Sequence, residues 1–256
     1  MKSYKPIIID GIILLVVSTI FVTLVDQAFQ FIPGATDENN PIVTAISQAS
    51  ALGEETGKNK SVAVTTLLQK SPELINQKDI HGTTPLMRAS FINFYDYNSV
   101  ISIDEKRHPY VLMLLDKGAQ VNDRDEDDWN ALCWASWSGM VKITEALVKA
   151  GSEINIIDKQ GNTPLCIAAL RGNPEIVSIL LKHGANRQAV AKNGLNALGF
   201  AKREHARYLA NFSPDANLDL PATEKANTAA NDDMSYYDLK NHIIRLEKTI
   251  ALLKAR

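Results

Sequence analysis

The residues of this chain that could perform chemistry are five histidines, two cysteines and one run of acids. The histidines are His81, His108, His183, His205 and His242. None of them stands at a metal-ligand spacing from a cysteine or a carboxylate. The sequence also contains no Gly-rich phosphate loop, GxSxG elbow or HExxH motif. It therefore predicts no enzyme, no cofactor and no metal site.

The run of acids is the nearest approach to a metal site, and it comprises Asp123, Asp125, Glu126, Asp127 and Asp128. An EF-hand calcium loop needs a central glycine and a closing glutamate, and this run has neither. The formal net charge of −2 gives the chain no basic field that could hold nucleic acid. We therefore predict neither calcium binding nor a nucleic-acid partner.

The elements that carry these residues are short helices in pairs, seen most clearly in GNTPLCIAALRGNPEIVSILLKHGA, residues 161–185. Thr163 can accept the first free amides of a helix, and Pro164 supplies the φ angle that the first turn needs. Residues 172–174 (GNP) end this helix and begin another, which Gly184 ends as a left-handed cap. Neither helix can bury its apolar face alone, so the pair needs neighbours of its own kind.

Those neighbours are present at a period of 33 residues, which is kept by Leu132, Leu165 and Leu198 and by Ala135, Ala168 and Ala201. A helix–turn–helix repeat of this length, with a TPL start and a Gly-Ala finish, resembles the ankyrin repeat. The motif TPLCIAA…GNPEIV..LLKHGAN matches closely, with Cys166 where the family usually has histidine. The resemblance covers residues 79–209 and implies an all-α ankyrin-repeat solenoid of about five units, including its caps.

The resemblance also implies a binding surface. In ankyrin repeat proteins the tips of the turns, called fingers, and the exposed side of each first helix line a concave groove that holds a protein partner. By the repeat register, the candidate binding residues are Phe91, Ile92, Arg124, Glu126, Asp127, Trp129, Trp137, Lys159, Gln160, Asn162, Leu170 and Arg171. The register places Trp134 at a buried position, in the core.

Tryptophan at two groove positions is a signal for an interface, because Trp buries a large area with few rotatable bonds. Trp129 and Trp137, joined by Phe91 and rimmed by the acidic finger, predict an anchor site for a partner of basic character. The alternative is that the insertion described below, or the C-terminal helix, covers these rings within the chain.

The two cysteines, Cys133 and Cys166, occupy one position in adjacent repeats. The family geometry separates such positions beyond the roughly 7 Å limit of a disulfide, so we interpret both as small buried residues.

The N-terminus predicts a membrane anchor. Residues 1–6 are a short basic start, and residues 7–25 are an apolar run long enough to cross a bilayer. A secretory signal peptide is the rival interpretation, but no A-x-A-like cleavage site follows. Positive charge before the span and acids after it predict a cytoplasmic N-terminus and repeats on the far side, the periplasm if the cell is bacterial. Residues 26–40 then form a tether.

The rest of the chain divides around the repeats. Residues 41–78 predict a degenerate N-terminal cap repeat, and residues 79–212 the ankyrin repeats, with an insertion near 93–110 that we expect to be an ordered loop between two helices. Asp128 replaces the turn glycine of the other repeats, so its turn is expected to be strained or repacked. Residues 213–233 lack periodicity and predict a disordered linker.

Residues 234–256 predict an amphipathic helix. A heptad seam runs along it through Tyr236, Leu239, Ile243, Leu246, Ile250 and Leu253. Several outcomes stay open for this helix: it docks on the chain's own repeats or frays in solution, or it self-associates into a homo-oligomer through residues 236–253.

The function that these patterns favour is non-enzymatic binding of a protein partner at a membrane. One specific form is an immunity or inhibitor protein that captures a toxin or hydrolase. The alternative is a membrane scaffold or assembly factor that self-associates through its C-terminal helix.

Overall fold

The computed structural model describes residues 69–92, 97–211 and 236–255, and all regular secondary structure in these ranges is helical. After a 3₁₀ helix at Pro72–Asn76, eight α-helices follow in chain order. They are α1 Pro85–Ala89, α2 Tyr97–Asp116, α3 Ala131–Ser138, α4 Val141–Lys149, α5 Pro164–Leu170, α6 Pro174–Lys182, α7 Ala197–Asn211 and α8 Tyr236–Lys254.

The helices stack in two rows, as the repeat register predicts. Helices α1, α3, α5 and α7 form an inner row, and α2, α4 and α6 form an outer row that packs against it. Two of the leucines that keep the sequence period, Leu132 and Leu165, are fully buried, as is Leu86 at the same place in the first repeat. Burial of one such side chain is worth about 1.5–3 kcal/mol, so these positions hold the repeats together.

Each inner helix begins at a side-chain cap. The side-chain oxygens of Thr84, Asn130, Thr163 and Asn196 each accept the amide three residues further on, at 2.9–3.3 Å. This confirms the predicted helix start at Thr163 and Pro164, because an uncapped first turn would leave its amides without acceptors.

The fingers, which are the turns at residues 79–82, 125–128, 158–161 and 191–194, are joined to one another. Backbone hydrogen bonds run from Glu126 to His81 at 3.3 Å, from Lys159 to Asp127 at 3.2 Å and from Lys192 to Gln160 at 2.9 Å. This close approach needs a left-handed residue at the end of each finger. Asp128, in the turn where strain or repacking was predicted, adopts that conformation with φ 64°, which is uncommon for a residue other than glycine.

A ladder of asparagines joins the repeats just after the outer helices end, before the chain enters the next finger. Each asparagine side chain donates to the carbonyl that follows the next outer helix and accepts an amide two residues beyond it. The donor–acceptor pairs are Asn76 with Gly118, Asn122 with Gly151, and Asn155 with Gly184, at 3.2–3.3 Å. The ladder satisfies polar groups that the helix ends would otherwise leave free.

The insertion differs from the prediction. We expected an ordered loop near residues 93–110, but residues 97–110 form the first part of α2, a helix of 20 residues. Its buried face runs through Val100, Asp104, Arg107, Val111 and Leu114, at spacings of four and three. This is a helical period, and two charged residues on the buried face hid it in the sequence.

Both buried charges stabilise neighbouring helix ends. The Asp104 carboxylate accepts the amides of Lys142 and Ile143, at 2.7 and 3.1 Å, and so caps the start of α4. Burial raises the pKa of Asp104, while these two amides oppose that shift. The Arg107 guanidinium donates to the carbonyls of Arg88, at 3.1 Å, and Phe91, which close the end of α1. An acid at a helix start and a base at a helix end both suit the helix dipole.

Helix α8 confirms the predicted C-terminal helix, and in this single chain it docks on the repeats, which is one of the predicted outcomes. It packs on α6 and α7, where Ile243, Leu246 and Leu253 of the heptad seam are buried. The seam residues therefore contact the repeats, and the described structure gives no support to a coiled coil.

The predicted N-terminal segments lie outside the described residues, which include neither the span at 7–25, the tether at 26–40 nor most of the cap repeat at 41–78. The linker at 213–233 also lies outside them. Among the helices that are described, none combines the length and the apolar character needed to cross a membrane.

Replacing Asp104 tests the role of the insertion. We expect Asp104→Ala to lower the free energy of unfolding by about 1–2 kcal/mol, because the start of α4 loses its cap. Glu105→Ala is the matched control: Glu105 pairs with Lys142 at 2.9 Å, but both side chains are half-exposed, so its loss should cost less than about 0.5 kcal/mol. Urea unfolding measures both. Equal effects would mean that α2 does not hold α4.

Candidate functional site

A continuous row of aromatic rings crosses the inner helices. The Phe91 and Trp134 ring centroids lie 4.7 Å apart, those of Trp134 and Trp129 4.9 Å, and those of Trp129 and Trp137 5.8 Å. The Arg171 guanidinium lies over the Trp137 ring, 4.5 Å from its centroid, and ends the row. The rings meet edge to face or tilted, arrangements that suit their quadrupoles. The row therefore joins the first three repeats across one surface.

Finger aspartates fix this row in place. In each of the first three fingers, one oxygen of Asp79, Asp125 or Asp158 accepts the amides two and four residues further on, at 2.7–2.9 Å. The other oxygen accepts a second donor: Arg88 for Asp79 at 2.6 Å, the Trp134 indole for Asp125 at 2.8 Å, and the Trp129 indole for Asp158 at 3.1 Å.

Of these three bonds to the second oxygen, the one donated by the Trp129 indole joins two repeats, because its acceptor, Asp158, belongs to the next finger. Burial raises the pKa of Asp125, and its bonds from the Trp129 amide and the Trp134 indole oppose that shift. The two indole N–H groups are thus directed into the protein. Each ring is held in one orientation before any partner arrives.

The three tryptophans differ in how far their side chains are buried. Trp134 is 7% exposed, which confirms its predicted place in the core. Trp129 and Trp137 are half-buried and pack on a cluster of Cys133, Ile156 and Ile167. Neighbouring rings and Arg171 cover them in part, so the anchor site is more enclosed than the sequence predicted.

Ile92 is a correction to the predicted groove, because it is only 4% exposed. Its amide donates to the Ser138 hydroxyl oxygen at 2.9 Å, and that hydroxyl donates back to the Ile92 carbonyl at 3.2 Å. This exchange turns the chain inward after α1 and buries the side chain. Phe91, its neighbour, stays half-buried against Trp134.

The finger residues among the candidates are placed as the register predicts. Glu126, Asp127, Lys159 and Gln160 are exposed. Negative charge therefore lies at the second finger, and a lysine lies at the third. The remaining candidates are half-buried: Arg124, which pairs with Glu153 at 3.1 Å, Asn162, which donates to Asp158 at 3.0 Å, Leu170 and Arg171.

One feature of this surface was missed by sequence reasoning. It is the structural role of Asp125 and Asp158, although an aspartate that begins three successive fingers was a signal in the sequence. The register also assigns Ile80 and Ile157 to the fingers, and both are exposed there, at 71% and 56%.

The C-terminal helix borders the end of the aromatic row. His242 of α8 lies against the Tyr208 ring, with centroids 4.5 Å apart. Burial lowers the pKa of His242 to about 3, and the positive charges of Arg171, Arg245 and Arg207 add to the shift. The imidazole is therefore neutral at ordinary pH, and Arg171 faces both α8 and the aromatic row.

The cysteines beneath this surface are buried. Cys133 and Cys166 are buried free cysteines, as predicted, and burial raises the pKa of the Cys133 thiol. Such a thiol is protonated and inert. Among the described residues, no three His, Cys, Asp or Glu side chains lie together as a metal site.

The environment of His242 makes stability depend on pH. An unfolded imidazole titrates near pH 6.5 and the folded one near 3, so the unfolded chain takes up the proton first as the pH falls. His242 therefore lowers stability progressively from pH 6.5 to 3 and has no such effect above 6.5.

We expect the urea midpoint of His242→Gln to fall less between pH 7 and 4.5 than that of the unmodified protein. His183→Gln, at an exposed site, is the control. An unchanged pH profile for His242→Gln would contradict this assignment.

Comparison with known proteins agrees with the repeat architecture. Residues 142–221 match the family model for ankyrin repeats (3 copies), a range that begins in α4 and contains α5, α6 and α7. No curated protein matches the chain. Ankyrin repeats are protein–protein interaction modules and are typically not enzymes. The family match, the 33-residue period and the stacked helix pairs agree, and residues 142–221 of this chain therefore carry ankyrin repeats.

Proposed function

We propose that this protein binds another protein in its concave groove while its N-terminus is tethered to a membrane. The observation that carries the proposal is the aromatic row, which ends in two half-buried tryptophans beside exposed fingers. Trp, Tyr and Arg supply most of the binding energy at protein interfaces. Trp129, Trp137 and Arg171 present this chemistry together.

The fixed orientation of the rings supports the proposal. Binding costs about 0.5–1.5 kcal/mol for each mobile side chain that becomes ordered. The Trp129 indole is already held by Asp158, and Arg171 already lies over Trp137 and donates to its carbonyl at 3.3 Å. These side chains therefore lose little freedom when a partner covers them.

Charge indicates the character of the partner. Glu126 and Asp127 are exposed at the second finger, beside Trp129. A segment with basic and apolar side chains would complement this end of the groove. Charge complementarity of this kind raises the association rate and selects among partners.

The membrane part of the proposal rests on the apolar run at residues 7–25 and its flanking charges. With the N-terminus in the cytoplasm, the repeats lie on the far side, which is the periplasm in a bacterial cell. A tethered binding protein on that side suits an immunity or inhibitor role, in which it captures a toxin or hydrolase near the membrane.

Substitutions in the groove test partner binding. We expect Trp137→Ala and Glu126→Lys each to weaken the partner at least about tenfold, as hot-spot and charge-reversal changes do at interfaces. Glu145→Lys makes the same charge change on the exposed face of α4, away from the groove, and should leave binding unchanged. The partner is first captured from an envelope extract of the source cells, and its affinity is then measured with purified proteins. If Trp137→Ala lowers the melting temperature but keeps full affinity, the ring is structural and the groove is not the binding site.

Reporter fusions test the orientation. We expect a reporter that is active only on the far side of the membrane to be active when fused after residue 40, and a cytoplasmic reporter at the same position to be silent. Replacing three residues of the span with aspartate, which the bilayer core disfavours, should release the fusion from the membrane fraction. Activity of the cytoplasmic reporter alone would contradict the proposed orientation.

A further inference from the structure

Helix α8 occupies the place of an outer helix. The Arg245 guanidinium lies at the start of α6, where it donates to the Gly172 carbonyl at 3.2 Å and pairs with Glu175 at 3.0 Å. Near the other end of α8, Arg187, which follows α6, donates to the Leu252 and Ala255 carbonyls. The two helices therefore run in the same direction, as successive outer helices of the array do.

The pairing of α8 with α7 shows the same relationship. The Tyr208 ring lies against His242, and His205 lies 3.5 Å from the Glu247 carboxylate, so the two helices run in opposite directions. An inner helix and its outer helix pair in this way. In addition, the bonds from Arg187 satisfy the carbonyls at the end of α8, as the asparagine ladder does for earlier outer helices. Helix α8 is thus the outer helix of the last repeat.

The connection to this helix is far longer than its position requires. Residues 139–140 join α3 to α4, and residues 171–173 join α5 to α6, whereas residues 212–235 lie between α7 and α8. Because Tyr208 already faces His242, the end of α7 lies close to the start of α8, and a few residues would close the pair. A connection of about 24 residues can span up to roughly 80 Å. It can therefore reach the same position on a second molecule.

We propose that the face of α6 and α7 is an interface between two copies of this chain, which exchange their α8 helices. The face accepts a helix with apolar side chains at the Ile243, Leu246 and Leu253 positions and an arginine opposite Glu175. The α8 of a second copy carries this pattern by identity. An exchanged α8 makes the same contacts as an α8 that docks on its own repeats. The monomer and the exchanged dimer therefore differ only in the path of the connection and in the freedom of motion that two chains lose when they associate.

The balance between the monomer and the exchanged dimer sets the protein concentration at which the dimer forms. A connection of this length gives α8 an effective concentration at its own face of about a millimolar. The exchanged dimer is therefore a minor species at micromolar concentration and is populated as the concentration approaches that value. Confinement of two copies to one membrane would raise their local concentration and so favour the dimer.

A charge swap across the Glu175–Arg245 pair tests the proposal. In a Glu175→Arg chain two arginines oppose each other, and in an Arg245→Glu chain two glutamates do. When the two chains are mixed and exchange α8, both contacts regain opposite charges. We expect a one-to-one dimer at concentrations where each chain alone is monomeric, with at least roughly tenfold more dimer than in either separate sample. Full-length chains are used in one detergent, with an affinity tag on one of them, and are measured by co-elution and light scattering.

The double variant Glu175→Arg/Arg245→Glu is the matched control, because its charges are opposite within one molecule and it should stay monomeric under the same conditions. If the mixture gains no dimer over the separate chains, α8 is a cap for its own repeat only, and the proposal is overturned. The unmodified protein gives a second measurement that needs no variant. Tagged and untagged chains should co-elute after incubation near 1 mM. Failure to do so would also overturn exchange.

Discussion

The aspartate that begins a finger is the group on which the described array most depends. Its carboxylate closes the turn through two amides and at the same time holds the inner helix or the neighbouring repeat through its second oxygen. In repeats two and three, the second donor is a tryptophan indole. The same carboxylate that shapes the finger therefore also orients the aromatic row, so the candidate binding surface and the stability of the array cannot vary independently.

Most of the fold could be predicted from the sequence because it repeats. Leu132 and Leu165 stand at one position of successive units, so a single well-formed pair of helices fixes the interpretation of its neighbours. The same register placed Trp134 in the core and Trp129 and Trp137 at the groove. It did not reveal that Ile92 turns inward, because that depends on a hydroxyl of the next repeat, Ser138, which is distant in sequence.

The insertion was misread for a related reason. A search for apolar periodicity passes over Asp104 and Arg107, yet both lie on the buried face of α2. They are buried because each satisfies the end of another helix, and those ends come together only in the tertiary structure. The half-burial of Trp129 and Trp137 has the same origin, since rings from different repeats cover one another. The sequence pattern within each repeat identified the helices and turns. The exposure of each side chain was determined by contacts between repeats.

The last finger lacks the carboxylate that its predecessors share, since Ala191 stands where they carry aspartate. Its turn is closed by the backbone bond between Ala191 and Leu195. The helix that completes this repeat, α8, follows the other repeats in the chain. During synthesis on a ribosome it therefore emerges after them, so the apolar side of α6 and α7 stays open to solvent until α8 has been made. A product that lacks α8 would thus have an unprotected core.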